Sequence, residues 1–319
     1  MKQRVVVYKK LPEHLMERLR AEFDVTAFDR VDAGNRDAFA EALKSAHGMI
    51  GASLQISNDL LEAAPDLRIA STVSVGVDQF DLNYFRQRGL QLAHTPGVLN
   101  EATADTIFAL ILSSARRVVE LAELVKAGQW KGSIGEAQFG VNVHGKTLGM
   151  IGMGRIGSAV ARRAHHGFGM KILYNNTRPN PEAERELDAT FVSKEDLLAQ
   201  SDFVCLMLPL TAQTERMFGA REFGLMKRSA IFINASRGRI VDEAALVRAL
   251  QDKTIHAAGL DVFEVEPLPA DSPLLSLSNV VALPHIGSAT HETRLAMAEL
   301  AVDNLIAGLR GETVPHLAL

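Results

Sequence analysis

At 319 residues the chain exceeds the length over which one hydrophobic core keeps growing, so two domains are expected. Hydrophobic residues make up 47% and charged residues 23%, ordinary for a globular protein; the net charge of −4, with no basic block, argues against nucleic-acid binding through bulk electrostatics. The opening apolar run is too short for a signal peptide and no run reaches the ~18–20 apolar residues of a membrane helix, so a cytoplasmic protein is expected.

Short β-rich runs alternate with helical periodicity along the chain, the mark of an α/β protein. Strand-like runs fall at residues 4–8, 25–28, 48–52, 68–73 and 91–95, with helical segments at 12–23 and 36–45. Thr95-Pro96-Gly97 interrupts regular structure, and one long helical pattern then runs from 101 to 127, ending before Gly128. After a glycine-containing connection, a second strand series follows at 148–151, 171–174, 203–208, 230–234, 256–261 and 280–283. Most of these are continuous apolar runs, as strands covered on both faces of a parallel sheet should be. The only cysteine, Cys205, lies in the third of them; it excludes a disulfide within the chain and reads as a buried thiol. A last helix is expected over 292–309. This order describes a small α/β domain followed by a larger doubly wound one.

The sharpest local signal is Gly152-Met153-Gly154-Arg155-Ile156-Gly157, which follows a strand and opens a helix expected over 156–168. Gly152 allows the tight turn, Gly154 lets backbone approach a pyrophosphate, and Gly157 permits close helix–strand packing. The helix N-terminus, with Arg155 and Ile156, offers free N–H groups to the anion. Just upstream, Gly140-Val141-Asn142-Val143-His144-Gly145-Lys146-Thr147 spells a P-loop, but the residues after Thr147 form a strand where a P-loop requires a helix, so the match is accidental. At the end of the second strand, where NAD enzymes place an acid about 20 residues on, the chain reads Asn175-Asn176-Thr177-Arg178. Asn176 and Thr177 offer hydrogen bonds and Arg178 a positive charge, which points to the 2′-phosphate of NADPH; the ordinary alternative for Arg178 is a solvated turn.

Three polar clusters follow successive strands: Asn234-Ala235-Ser236-Arg237-Gly238, Glu264-Val265-Glu266-Pro267 and Pro284-His285-Ile286-Gly287-Ser288. Singly, Arg237 reads as a surface arginine, Glu266 as a solvated acid and His285 as a turn residue. Together, at strand ends of a sheet with a dinucleotide turn, they supply what reduction of a 2-keto acid requires. The planar arginine fork clamps a carboxylate; histidine delivers a proton near neutral pH; a carboxylate beside it favours the imidazolium. No G-x-S-x-G elbow and no H-E-x-x-H occurs, and His165-His166 are adjacent rather than one helical turn apart, which speaks against a serine hydrolase and a zinc site.

These segments, with Gly259-Leu260-Asp261-Val262-Phe263 and Ala289-Thr290, resemble the D-isomer-specific 2-hydroxyacid dehydrogenase family along essentially the whole chain. Within it the sequence is most similar to bacterial glyoxylate/hydroxypyruvate reductases, a branch also described as 2-ketogluconate reductases. The resemblance implies a Rossmann cofactor domain over residues 101–285. It also implies a smaller flavodoxin-like α/β substrate domain built discontinuously from 1–100 and 286–319. Arg237 is implied as the carboxylate clamp, His285 as acid/base and Glu266 as its partner. Val75, Gly76 and Ser288 fall at substrate-contacting positions. Asp261 matches the contact to the nicotinamide amide and Pro209 lies near the adenine; Ala235, Ser236, Arg237, His285 and Gly287 belong to the cofactor-binding segments. A homodimer formed through the 101–127 region is implied, in which Trp130 and Phe139 either reach the neighbouring active site or pack internally. Two alternatives stay open: an NADH-preferring D-2-hydroxyacid dehydrogenase with another substrate, and a dinucleotide-sensing corepressor-like protein that keeps the same polar residues.

Overall fold

The computed structural model describes residues 2–319. It divides into two compact units, Met1–Leu99 with Ala289–Leu319, and Asn100–Ser288.

The first unit begins β1 (Arg4–Val7), α1 (Glu13–Glu22), β2 (Asp24–Ala27), α2 (Arg36–Leu43), β3 (Gly48–Gly51), α3 (Asn58–Glu62), β4 (Ile69–Thr72), α4 (Leu82–Arg88) and β5 (Gln91–Ala93). The strands form a parallel sheet in the order β2-β1-β3-β4-β5, the flavodoxin-like order. The second unit holds α5 (Asn100–Arg116), α6 (Val118–Lys126), β6 (Thr147–Ile151), α7 (Arg155–Arg162), β7 (Lys171–Asn175), α8 (Pro181–Leu187) and β8 (Thr190–Phe191). It continues through α9 (Lys194–Gln200), β9 (Phe203–Leu206), α10 (Ala220–Leu225), β10 (Ile231–Asn234), α11 (Glu243–Gln251), β11 (Ala257–Leu260) and β12 (Val280–Ala282). Its seven strands are parallel in the order β12-β11-β10-β9-β6-β7-β8, a Rossmann sheet extended by one strand. Every residue of β9, β10 and β11 is buried, because helices cover both faces. The chain then returns to the first unit as α12 (His291–Arg310). Gly48 on β3 makes room there: a Cβ would lie 2.9 Å from Leu305 of α12.

Several expectations need correcting. The helical pattern 101–127 is two helices, because Arg117 takes a left-handed φ of 56° and redirects the chain. Past that break α6 buries none of its residues, and Val118, Val119 and Val125 face outward. The helix expected over 156–168 is α-helical only to Arg162; residues Arg163–Gly167 form a π turn. Periodicity cannot register that one-residue widening. The strand β8 is two residues long, too short for any alternating pattern. Gly145-Lys146-Thr147 leads directly into β6, so the P-loop string has no helix to open. Cys205 is fully buried on β9, which pushes its thiol pKa up to about 12. Among the described residues no helix is long and apolar enough to cross a membrane.

Candidate active site

The site lies at the carboxyl ends of the seven-stranded sheet, which runs two ways from β6: to β7 and β8 on one side, to β9 and β10 on the other. At that reversal sits the glycine turn. Gly152 has φ 104°, and a Cβ there would come within 2.2 Å of the Met207 carbonyl after β9. Gly157 is equally constrained, since its Cβ would meet the Gly152 carbonyl at 2.2 Å. Gly154 differs: no atom lies within 4 Å of a Cβ built on it. Two glycines thus let the chain pack, and the middle one leaves an open cradle before the exposed N-terminus of α7 at Arg155 and the half-buried Ile156. Unpaired N–H groups facing open space are what a pyrophosphate requires, so the residues present fit a dinucleotide.

Beyond β7, Asn175 occupies the strand end and its amide donates to the Val192 carbonyl at 2.8 Å. Asn176 turns back onto the glycine loop: its Oδ1 accepts from the Met153 N–H at 2.7 Å, and its Nδ2 lies 3.4 Å from the Met153 carbonyl. Thr177 and Arg178 are exposed. Pro209, also exposed, follows β9 and its carbonyl accepts the Thr214 hydroxyl at 2.7 Å.

On the other side β10, β11 and β12 end level with one another, Asn234 beside Leu260 and Leu260 beside Ala282. The buried Asn234 builds the turn that carries Arg237. Its Oδ1 accepts from the N–H and the hydroxyl of Ser236 at 3.1 and 2.8 Å, and its Nδ2 donates to the Arg237 carbonyl at 3.2 Å. Ala235 is buried beneath, and Arg237 is half-buried with Nη1 on the Ser236 carbonyl at 2.8 Å. Gly238 follows because nothing larger fits: a Cβ would lie 1.8 Å from the Phe263 carbonyl carbon. The Phe263 N–H in turn donates to Glu266 Oε1 at 3.0 Å, leaving Oε2 to meet His285 Nδ1 at 2.7 Å. Burial raises the Glu266 pKa, but the His285 and Phe263 hydrogen bonds and the charges of His285 and Arg237 outweigh it and hold the carboxyl below its ordinary value. Arg237, Glu266 and His285 therefore act on one another electrostatically as well as sharing a strand-end row.

His285 has φ 54°, a left-handed conformation that costs a non-glycine residue on the order of 1 kcal/mol. Its own N–H donates to Leu283 O at 3.0 Å, and the next two N–H groups, of Ile286 and Gly287, donate to the two oxygens of Asp261 at 2.7 and 2.8 Å. Asp261 is 1% exposed; burial raises its pKa by more than these donors and His285 lower it. Its carboxylate thus fixes the loop that presents the histidine. Ser288, half-buried, follows directly. An apolar cavity of about 540 Å³ lined by Leu268, Leu275, Leu283 and Pro284 has Glu266 and His285 in its wall.

In the first unit Val75 and Gly76 occupy the loop after β4. His94 Nδ1 donates to the Val75 carbonyl at 3.0 Å and Ser74 Oγ to the Gly76 carbonyl at 2.7 Å. A trans peptide sets N–H opposite C=O, so the Gly76 N–H points away from His94.

Sequence reasoning singled out Arg237, Glu266, His285 and the glycine turn and missed the groups that hold them in place: Asn234, Gly238, Asn180 and the Phe263 N–H. Asn234 and Gly238 stand inside a motif that was read, but their partners are set by chain crossings that spacing does not reveal. Asn180 before Pro181 carries a legible helix-start signal, yet its amide also reaches Met153 at 3.1 Å, a contact no local pattern encodes.

Residues 108–287 match the family model described as the D-isomer specific 2-hydroxyacid dehydrogenase, NAD binding domain. The chain is 57% identical over 311 residues to glyoxylate/hydroxypyruvate reductase B of Yersinia pestis (strain Pestoides F), covering 98% of this chain and 95% of that protein. A crystal structure of a Thermus thermophilus protein superposes with a TM-score of 0.91 at 42% identity, over 99% of this chain and 100% of that one. The NADPH-dependent glyoxylate/hydroxypyruvate reductase of Sinorhizobium meliloti, solved with NADP and malonate, gives a TM-score of 0.87 at 32% identity over 100% and 97% of the two chains. With the dinucleotide turn and the strand-end row of polar groups described above, these likenesses lead to one conclusion: the chain belongs to the D-isomer specific 2-hydroxyacid dehydrogenase family of oxidoreductases.

Proposed function

We propose that the protein is an NADPH-preferring reductase of small 2-keto acids, glyoxylate, hydroxypyruvate and 2-ketogluconate, to their D-2-hydroxy acids. The observation that carries the reading is the 2.7 Å bond between Glu266 and His285, with Arg237 charged alongside. An ionised carboxylate only accepts, so Nδ1 of His285 carries its proton and Nε2 is the nitrogen left to face substrate. Arg237 holds the substrate carboxylate in its planar fork, with the hydroxyl of Ser288 as a further substrate contact. Bound NADPH supplies the hydride to the keto carbon. The imidazolium of His285 gives its Nε2 proton to the oxygen that becomes the hydroxyl, and the neutral ring stays tethered to Glu266 through Nδ1–H. Asp261 keeps the histidine loop in place and would meet the nicotinamide amide, while Ala235, Ser236 and Gly287 would help to hold the cofactor.

The preference for NADPH is supported by the absence of an acid at 175–178 and by the exposed Thr177 and Arg178, and the S. meliloti relative is described as NADPH-dependent. Assembly as a cytoplasmic homodimer is part of the proposal; the outward valines of α6 and the exposed Trp130, Ile134 and Phe139 beyond it support a covered face there. The test is purified protein with each of the three keto acids, with NADPH and with NADH, followed by the near-ultraviolet absorbance of the reduced nicotinamide. Turnover with NADPH well above that with NADH is expected. No turnover on any of the three, with dinucleotide binding intact, would favour a sensor over an enzyme.

A further inference from the structure

We infer that Asn176 and Asn180 are positioning residues that clamp the Met153 peptide groups of the phosphate-binding turn, and that the amide of Asn176 is committed to this clamp rather than to the cofactor's 2′ group. The inference rests on the assignment of the glycine turn to the dinucleotide.

Met153 is 2% exposed, so its backbone groups cannot rely on solvent and a lost partner is costly. Its N–H donates to Asn176 Oδ1 at 2.7 Å, and its carbonyl accepts from Asn180 Nδ2 at 3.1 Å and, more weakly, from Asn176 Nδ2 at 3.4 Å. The amide orientations are set by these partners: the Met153 N–H can only donate, so the Asn176 atom facing it is oxygen. One bond fixes the peptide before Met153 and the other the peptide after it, the two that lead into Gly154. Because a trans peptide sets its N–H opposite its C=O, holding the Met153 carbonyl on Asn180 directs the Gly154 N–H to the opposite side. Gly154 is the position with open space around it. The asparagines thereby fix the orientation of a donor that an anion would use.

Asn180 is itself held at two further points. Its Oδ1 accepts from the Ala183 N–H at 3.2 Å and caps α8, while its own N–H donates to Tyr174 Oη at 2.7 Å. The tyrosine hydroxyl, accepting there, donates onward to Glu184 Oε1 at 2.7 Å. Tyr174 is fully buried on β7. The clamp therefore stands on the sheet and on α8 together. It is indifferent to what the cofactor carries at the 2′ position, which leaves that discrimination to Thr177 and Arg178.

Two neutral variants test this. Asn180→Ser keeps a helix-capping oxygen but is too short to reach the Met153 carbonyl; Asn176→Ala removes the acceptor for the Met153 N–H. Each is expected to weaken NADPH and NADH binding in calorimetric titration by on the order of tenfold, with their ratio unchanged. The kcat at saturating cofactor should hold, and amide exchange across residues 153–155 should rise. If Asn176→Ala lost NADPH affinity alone, the side chain would be a 2′ contact and the inference overturned. Unchanged exchange and affinity in both variants would overturn it too. Raised exchange with affinity for both cofactors unchanged would overturn the assignment of the turn to the dinucleotide, and so be told apart from failure of the clamp itself.

Discussion

The crossing at Gly238 offers a test that does not touch any reactive group. In Gly238→Ala the new methyl would lie 1.8 Å from the Phe263 carbonyl carbon, 1.9 Å from its oxygen and 2.4 Å from the Glu264 nitrogen. Ordinary carbon contacts start near 3.5 Å, so the two backbones must part by roughly 1.5–2 Å. Both sides of the contact are main chain, so no side chain can rotate out of the way. Overpacking of this kind costs about 1–3 kcal/mol, which for a domain of this size lowers Tm by roughly 5 °C. The catalytic cost should be larger in proportion. Arg237 is the preceding residue, and the Phe263 N–H holds Glu266, which holds His285. A displacement of about 1 Å in such a chain lowers the rate about 100-fold. The assay is kcat/KM for glyoxylate with NADPH, alongside the NADPH dissociation constant and Tm. Affinity for NADPH should fall by less than kcat/KM, because the glycine turn follows β6 rather than the displaced strands. A Gly238→Ala variant with unaltered kcat/KM and Tm would refute the claim that this crossing sets the spacing of the site.

Replacing His285 with alanine is expected to lower kcat by ~10²–10⁴-fold while cofactor affinity holds; near-normal turnover would remove the imidazole from the mechanism. The lowered folded-state pKa of Glu266 fixes the sign of a pH effect. The stability it contributes is present above its unfolded pKa and is lost as pH falls through the lowered folded value. Its hold on His285 should therefore persist below the usual glutamate range, and Glu266→Gln should flatten the acid limb of the kcat/KM profile; an unaltered limb would assign it to another group. Arg178→Ala should raise the KM for NADPH about tenfold, the worth of one charge-assisted hydrogen bond, and leave that for NADH unchanged. Equal effects on both cofactors would mean the arginine only solvates its turn.

Much of this molecule is written in local pattern. The buried runs of β9 to β11 and the glycine spacing after β6 are legible because parallel strands and phosphate turns impose residue types at fixed intervals. Context also sufficed to set aside the string ending at Lys146-Thr147. Backbone exceptions were not legible. Arg117 and His285 adopt left-handed φ values that neither residue type advertises, so one helix read as continuous and the strain at the histidine went unseen. Asn176 shows a different limit. Its residue type suggested a hydrogen bond to the cofactor, but a carboxamide serves a backbone as well as a phosphate, and only three-dimensional proximity places Met153 within its reach.

No residue of helix α6 is fully buried within its own chain, so its outward valines contribute little to the folding free energy of a lone copy. If a second copy supplies the missing cover, native protein is stabilised by mass action, and its melting temperature must climb as the solution is made more concentrated. Dilution would then expose valines and Trp130 to water, where they would bind hydrophobic dyes and collect into aggregates. For a chain with this arrangement, stability has no single value apart from the concentration at which it is measured.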